Sequence, residues 1–424
     1  MTQHHAAGTA PLISLEAIQA ASIRLKEVAY HTPLMHNLHL SEWYGCNLFL
    51  KREDLQVVRS YKVRGAYNKM SSLPPEVLQR GVVCASAGNH AQGVAFACRL
   101  LQVKGKIYMP STTPSQKIQK VKTFGKEYVE IVLTGDTYDA AYEVAMEDCT
   151  QQGKSFIHPF NDEEVIAGQA TVAVEILQDS KVPLDAIIVP IGGGGLMSGV
   201  GSYFRQLSPR TRIIGVQPAG APSMVEAIRQ GKLVTLPKID RFVDGAAVKR
   251  SGDKTFRIVR EIVDEILLIE EGKICSTILK LYNEEAIVVE PAGAMSVSAL
   301  EILREELEGK NVCCIISGGN NDITRTEEIK ERSLLSEGLK HYFIIRFPQR
   351  AGALREFLNN VLGPDDDITH FEYTKKNNRD AGPALVGIEL KKRNDYAGLL
   401  QRMEQYQIDY QSVNNDPMLF DFLV

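Results

Sequence analysis

An α/β protein is predicted: a parallel, doubly wound unit in two lobes, followed by a smaller α+β unit of ferredoxin-like order. Three observations carry this. From about Leu48 to Gly319, short apolar runs alternate with stretches whose apolar residues recur at helical spacing. Three of those runs end in glycine-bearing loops, the place where ligands sit in an open α/β sheet. Past the charged stretch Glu327-Glu328-Ile329-Lys330-Glu331-Arg332, the order changes to β-α-β-β-α-β.

The elements follow in chain order. Val82–Ala85, Lys106–Met109, Val129–Leu133, Ala186–Pro190, Ile213–Val216 and Val312–Ser317 read as strands, each a short apolar run. Ala91–Leu101, Val165–Leu177, Leu196–Gln206 and Ala292–Leu307 read as helices. After the charged stretch come a strand at His341–Phe347, a helix at Gly352–Val361, strands at Ile368–Tyr373 and Ala384–Leu390, a helix at Tyr396–Tyr406 and a strand at Ile408–Gln411. The expected division is 1–330 and 331–424, with a small lobe at about 66–153 inserted in the first part.

Composition narrows the function. The chain has 424 residues, 44% hydrophobic and 24% charged, enough for two or three domains. A formal charge of −4 and no Lys/Arg-rich block argue against nucleic acid or anionic lipid as a partner. No apolar run approaches the ~20 residues of a membrane span, and Met1 to Pro11 lacks the layout of a signal peptide. The seven cysteines form no CxxC pair, and Cys313 and Cys314 are adjacent on a strand and face opposite ways. Free buried thiols in a reducing cytoplasm are expected.

The most informative loop is Gly192-Gly193-Gly194-Gly195, between a strand and a helix. Consecutive glycines let backbone N–H groups converge, and the helix N-terminus adds partial positive charge, so the loop suits a phosphate. No Gly-Lys-Ser/Thr follows and the G-x-G-x-x-G spacing is absent, which leaves a ligand with a single phosphate. Ser86-Ala87-Gly88-Asn89-His90 precedes a second helix and suits either a carboxylate or a simple cap at Ser86 or Asn89. Ser317-Gly318-Gly319-Asn320 ends the last strand of the sheet, as a hydroxyl-bearing site or a plain turn. Lys62, within Ser60-Tyr61-Lys62-Val63-Arg64-Gly65-Ala66, reads on spacing alone as a solvated helix residue. A phosphate cradle changes that reading, because a cofactor with one phosphate and a reactive aldehyde needs a lysine amine.

These segments, with His158-Pro159-Phe160-Asn161, Ile166-Ala167-Gly168-Gln169 and Val289-Glu290-Pro291-Ala292-Gly293-Ala294, resemble the serine/threonine dehydratases of pyridoxal-phosphate fold type II over residues 12–325. The C-terminal part, with Phe347-Pro348-Gln349-Arg350-Ala351-Gly352-Ala353-Leu354, resembles the ACT-like regulatory domain of biosynthetic members. The resemblance implies pyridoxal 5'-phosphate (PLP) held by Lys62, with Gly192, Gly193, Gly194 and Gly195 on its phosphate, Asn89 on its ring hydroxyl and Ser317 at its ring nitrogen. Ser86 and the N–H groups of Ala87, Gly88, Asn89 and His90 would hold the substrate carboxylate, with Lys62 as the catalytic base. It also implies water elimination from L-threonine, with L-serine as second substrate, isoleucine as effector at the C-terminal domain, and a homodimer or homotetramer.

Departures from the family pattern sharpen this. Ala87 stands where racemases carry a second-face serine, so racemisation is disfavoured. Gln217-Pro218-Ala219 lacks the acidic ligands of metal-binding relatives, so no metal is expected. Tyr61, Asn161 and Ala351 replace residues that are commonly Phe, acidic and Pro. The competing readings are a dehydratase without isoleucine control, a β-replacement enzyme, and a silent amino-acid sensor.

Overall fold

The computed structural model describes residues 12–373, 380–414 and 416. Its strands are β1 (Leu34–His36), β2 (Asn47–Arg52), β3 (Val82–Ala85), β4 (Gly105–Met109), β5 (Val129–Leu133), β6 (Ser155–Phe156), β7 (Ala186–Pro190), β8 (Arg212–Pro218), β9 (Glu265–Ile269), β10 (Asn311–Ile316), β11 (Lys340–Pro348), β12 (Asp367–Tyr373), β13 (Ala381–Glu389) and β14 (Tyr410–Ser412). The chain divides into two compact units, one of residues up to Glu270 with Leu281–Asn321, the other of Glu271–Lys280 with Asp322 onward.

The first unit holds two sheets. The larger has the order β1-β2-β10-β7-β8-β9 and is parallel except for β1, which runs antiparallel to β2. The smaller is fully parallel, in the order β5-β4-β3-β6. Every residue of β3 and of β7 is buried, as expected for strands of a parallel sheet covered on both faces. Separate cores lie on the two sheets, one around Ile187, Val189, Phe204 and Ile213, the other around Val82, Cys84, Val94 and Ile107.

Glycines set the spacing of the helices beside the larger sheet. In helix Lys62–Ser71, a Cβ on Gly65 would lie 2.8 Å from Val165 Cγ1 of helix Glu163–Asp179. One on Gly168 would lie 2.6 Å from the Arg64 carbonyl, and one on Gly199 of helix Gly195–Leu207 would lie 2.7 Å from Ala170 N. Three helices are thereby packed backbone against backbone.

A buried charge network braces the same region. Arg64 is bonded to Glu53 at 2.7 and 2.8 Å and to Glu175 at 2.6 and 2.9 Å, and Lys51 Nζ donates to Glu175 at 2.6 Å. Arg64, Lys51 and Glu53 are at most 1% exposed. Burial alone would raise the Glu175 carboxyl, but Arg64 and Lys51 hold it below the ordinary carboxylate range.

The second unit contains an antiparallel sheet in the order β12-β13-β11-β14, with helices Ala353–Asn360 and Asp395–Gln405, the ferredoxin-like arrangement. Its core is built on Phe343, Ile345, Phe357, Val386, Ile388, Leu399 and Met403.

Several expectations are corrected. The helix expected over Ala292–Leu307 is α-helical only at Pro291–Ser298 and then passes through a 3-10 turn, Ala299–Glu301, into turns. Leu303 and Leu307 are nevertheless buried, so the apolar spacing reports burial rather than helix. The last strand lies at Tyr410–Ser412, not Ile408–Gln411. Strands β1, β6 and β9 escape the apolar-run reading because they are short or half-exposed. All seven cysteines are buried free thiols. Among the described residues no helix is long and apolar enough to cross a membrane.

Candidate active site

The loops that leave β3, β6, β7 and β10 meet around the first turn of helix Lys62–Ser71. Contacts between them form a closed set. Lys62 Nζ donates to the Pro159 carbonyl at 2.9 Å. Tyr61 N donates to the Ser317 carbonyl at 3.3 Å. A Cβ on Gly93 of helix Asn89–Leu101 would lie 3.1 Å from the Lys62 carbonyl, so the two helices touch at their starts.

The glycine turn is a cradle that side chains would fill. Gly194 has φ +95°, in the left-handed region, and caps helix Gly195–Leu207. A Cβ on Gly193 would fall within the Phe160 ring, one on Gly195 would lie 2.9 Å from Phe160 Cβ, and one on Gly192 would lie 2.9 Å from Ala246 Cα. Thr255 Oγ1 donates to the Gly193 carbonyl at 2.6 Å, which turns that peptide. Helix geometry leaves the N–H groups of the first turn without intrahelical partners, so the turn can take a phosphate. If the turn holds a phosphate, Gly193→Val should weaken binding of the phosphorylated ligand about tenfold or more, an overpacking cost of about 1–3 kcal/mol. Titration of the full-length protein with the cofactor that the resemblance implies, read by visible absorbance, checks this.

Lys62 is bordered by titratable groups, and its surroundings shift its amine. Burial lowers its pKa to about 8, although Glu290 pulls the other way. Two neutral histidines border it. Burial and the neighbouring Lys62 lower His90 to about 3 and His158 to about 4. His90 Nε2 bonds the Ile157 carbonyl at 2.8 Å, so that nitrogen carries the proton. His158 Nδ1 accepts from the N–H groups of Phe160 and Asn161 at 3.2 and 2.8 Å.

Asn89 opens its helix and is held from two sides, donating to Glu290 at 2.6 Å and accepting from Asn320 at 2.8 Å. Ser86 Oγ accepts from Gly88 N at 3.2 Å, and the helix N-cap is Gly88 rather than Ser86 or Asn89. The Ser86 O–H is thus directed by its neighbour while the helix N-terminus suits a carboxylate. Ser317 Oγ is buried and donates to the Ala292 carbonyl at 3.2 Å.

Lys62, Ser86, Asn89, Gly192–Gly195 and Ser317 therefore stand in one tied cluster, with Ala87, Gly88 and His90 on the same loop and helix start. Sequence reasoning did not assign roles to Pro159, Phe160, Thr255, Glu290 or Asn320. For Pro159 and Phe160 a signal existed, the His158-Pro159-Phe160-Asn161 motif; Thr255 carried none. Asn161 accepts from Lys254 N at 3.0 Å and donates to Asp253 at 2.6 Å, anchoring the segment that carries Thr255.

The glycine cradle, the lysine amine and the polar groups at Asn89 and Ser317 fit a singly phosphorylated pyridine aldehyde. The model of a family described as "Pyridoxal-phosphate dependent enzyme" matches residues 25–318. Fold and site define a fold type II PLP-dependent enzyme, and the chain belongs to that family. A second model, "C-terminal regulatory domain of Threonine dehydratase", matches residues 331–423. The chain is 57% identical over 412 residues to the L-threonine dehydratase biosynthetic IlvA of Halalkalibacterium halodurans, covering 97% of this chain and 99% of that one. It is 58% identical over 413 residues to the protein of the same name from Bacillus subtilis, covering 97% and 98%. Within the larger family it is thus a member of the biosynthetic threonine dehydratases. Among solved structures it is similar to the processed form of threonine deaminase isoform 2 from Solanum lycopersicum, with TM-score 0.72 and 39% identity over 75% of this chain and 92% of that one.

Proposed function

We propose that this chain converts L-threonine to 2-oxobutyrate and ammonia, the committed step toward isoleucine, with L-serine as a slower substrate. The single observation that carries it is the Lys62 amine, half-buried, lowered in pKa and hydrogen-bonded to the Pro159 carbonyl within the cluster that suits PLP. PLP, when bound, supplies an electron sink for the electrons left when Cα loses its proton.

The chain's own residues do the rest. Ser86 and the N–H groups at the start of helix Asn89–Leu101 hold the substrate carboxylate, which orients the Cα–H bond toward Lys62. Lys62 Nζ takes that proton as a general base. The Cβ–O bond then breaks and the hydroxyl leaves as water, taking up the proton that Lys62 Nζ holds. The unsaturated amino product hydrolyses to 2-oxobutyrate and ammonia. Ala87 offers no proton on the opposite face, which supports elimination over racemisation.

The second unit is proposed to bind isoleucine. A cavity of about 440 Å³ lies between β11, helix Ala353–Asn360 and β12, lined by Phe347, Leu354, Leu358, Phe371 and Tyr373 together with Arg350 and Arg355. Apolar walls with guanidinium groups suit an aliphatic amino acid and its carboxylate. The enzyme is proposed to work in the cytoplasm as a homodimer or homotetramer; Leu38, Trp43 and Tyr282 are 51–69% exposed, apolar surface that a second copy would cover.

The test is a steady-state assay of the purified chain with threonine and with serine, each with and without isoleucine. Production of 2-oxobutyrate that isoleucine suppresses is expected. Leu358→Arg should raise the half-inhibiting isoleucine concentration about tenfold or more, since a charge then stands against the aliphatic side chain. Turnover that isoleucine leaves unchanged would point to an unregulated dehydratase, and no turnover to a sensor.

A further inference from the structure

Glu290 is a buried carboxyl that the reaction above does not use. It stands at the N-cap of helix Pro291–Ser298, yet its side chain makes no cap hydrogen bond. It turns instead to Asn89, whose Nδ2 donates to Glu290 Oε1 at 2.6 Å. Gly318 makes room for it: a Cβ there would lie 2.9 Å from Glu290 Cδ.

The orientation of the amides follows from one end that can only accept. The Val58 carbonyl takes a hydrogen from Asn320 Nδ2 at 2.8 Å, and the same nitrogen donates to Asn89 Oδ1 at 2.8 Å. Asn89 must then turn its nitrogen toward Glu290. One of its two amide hydrogens serves that bond. The other is left for a ligand.

We propose that Glu290 is a positioning residue: it holds the Asn89 amide so that the second Nδ2–H meets the ring oxygen of PLP, and its charge sets how firmly the cofactor is retained. This rests on Asn89 as a cofactor residue. A bond from an amide to a carboxylate is stronger than one to a neutral carboxyl. Burial and Asp244 push the Glu290 carboxyl up to about 7, against the Asn89 hydrogen bond, Lys117 and Lys120. Lys62 and Tyr61 also sense its charge, Lys62 being raised by it and Tyr61 likewise. Retention should therefore weaken as pH falls through about 7.

The experiment follows PLP loss from the full-length holoenzyme without substrate, by its visible absorbance during dialysis at pH 6 and pH 8. Wild type should lose PLP about threefold faster at pH 6, and Glu290→Gln, which keeps an acceptor but cannot ionise, should narrow that difference to the part that protonation of Lys62 supplies. Glu290→Ala should speed loss about tenfold, but less than about twofold in an Asn89→Ala background, because a residue acting through Asn89 adds nothing once Asn89 is gone. If Asn89→Ala retains PLP like wild type, the Asn89 assignment itself fails. If Asn89→Ala loses PLP quickly while Glu290→Ala does not, or if Glu290→Gln keeps the wild-type pH dependence, the Glu290 inference is overturned.

Discussion

Lys62→Ala is expected to lower 2-oxobutyrate formation about 10³-fold or more and to abolish the visible absorbance near about 410 nm that lysine-linked PLP gives. Two losses coincide in one side chain. On the proposed assignment the amine is both the attachment point for the cofactor and the base, held by its hydrogen bond to the Pro159 carbonyl. Small primary amines added to the variant should restore turnover in part, because they replace the base but not its position. A variant that retained the absorbance or near-normal turnover would remove Lys62 from both roles. The wild-type amine also predicts a pH dependence for cofactor uptake. Below its pKa of about 8 the amine is increasingly protonated and cannot attack the aldehyde. Covalent uptake of PLP by the apoprotein should therefore rise with pH and level off above about 8, checked by stopped-flow absorbance.

Arg64→Ala is expected to be the most destabilising single change near the site. It removes the cation bonded to both Glu53 and Glu175, leaving Glu175 with Lys51 and Glu53 with only the Thr32 hydroxyl. Breaking a buried ion pair by deleting one partner costs about 3–5 kcal/mol, a fall in melting temperature of about 3–6 °C for a chain of this size. Arg64→Lys should recover little, since an ammonium cannot reach both carboxylates with a planar fork. Thermal melts of the two variants decide this. A fall of only a degree or two in Arg64→Ala would show that the network is not a brace. The same network makes the fold acid-sensitive. The Glu175 carboxyl is lowered in the folded chain, so its contribution is complete above the unfolded carboxylate pKa and is lost as pH falls through the folded value.

Much of the catalytic scaffold was legible in the sequence. Strands β3 and β7 lie where the apolar runs put them, because a strand buried on both faces must be apolar throughout. Of the loops, the four glycines were legible because consecutive glycines between strand and helix free the backbone N–H groups, whereas those of Ser86, Asn89 and Ser317 read equally as a cap or a turn until the family resemblance was weighed. Strand β6, of two residues, was too short to form a pattern, and β9 begins with Glu265 and is only partly buried. The run Ala292–Leu307 misled because apolar spacing records which side chains are buried, and turns bury Leu303 and Leu307 as well as a helix would.

The boundary between the units also needed the structure. The charged stretch 327–332 marked a change of texture, but the helix Thr326–Glu337 that contains it belongs to the second unit, together with Glu271–Lys280 from much earlier in the chain. Gly272 lies against Ser336 and Arg332, and Ser276 Oγ lies 2.9 Å from Ser333 Oγ. Side-chain packing of that kind leaves no period in the sequence.

By itself the sequence determined the alternation of strands and helices and the glycine turn, because hydrophobic periodicity and backbone freedom are local properties written residue by residue; Lys62 stood out only through the family resemblance. Only the tertiary structure decided that Phe160 seals the glycine cradle, that Pro159 aims Lys62, that Arg64 is a buried brace rather than a surface charge, and that Glu290 turns to Asn89, 201 positions away. Those are contacts between segments distant in the chain, and their energies exist only once the fold has excluded water from them.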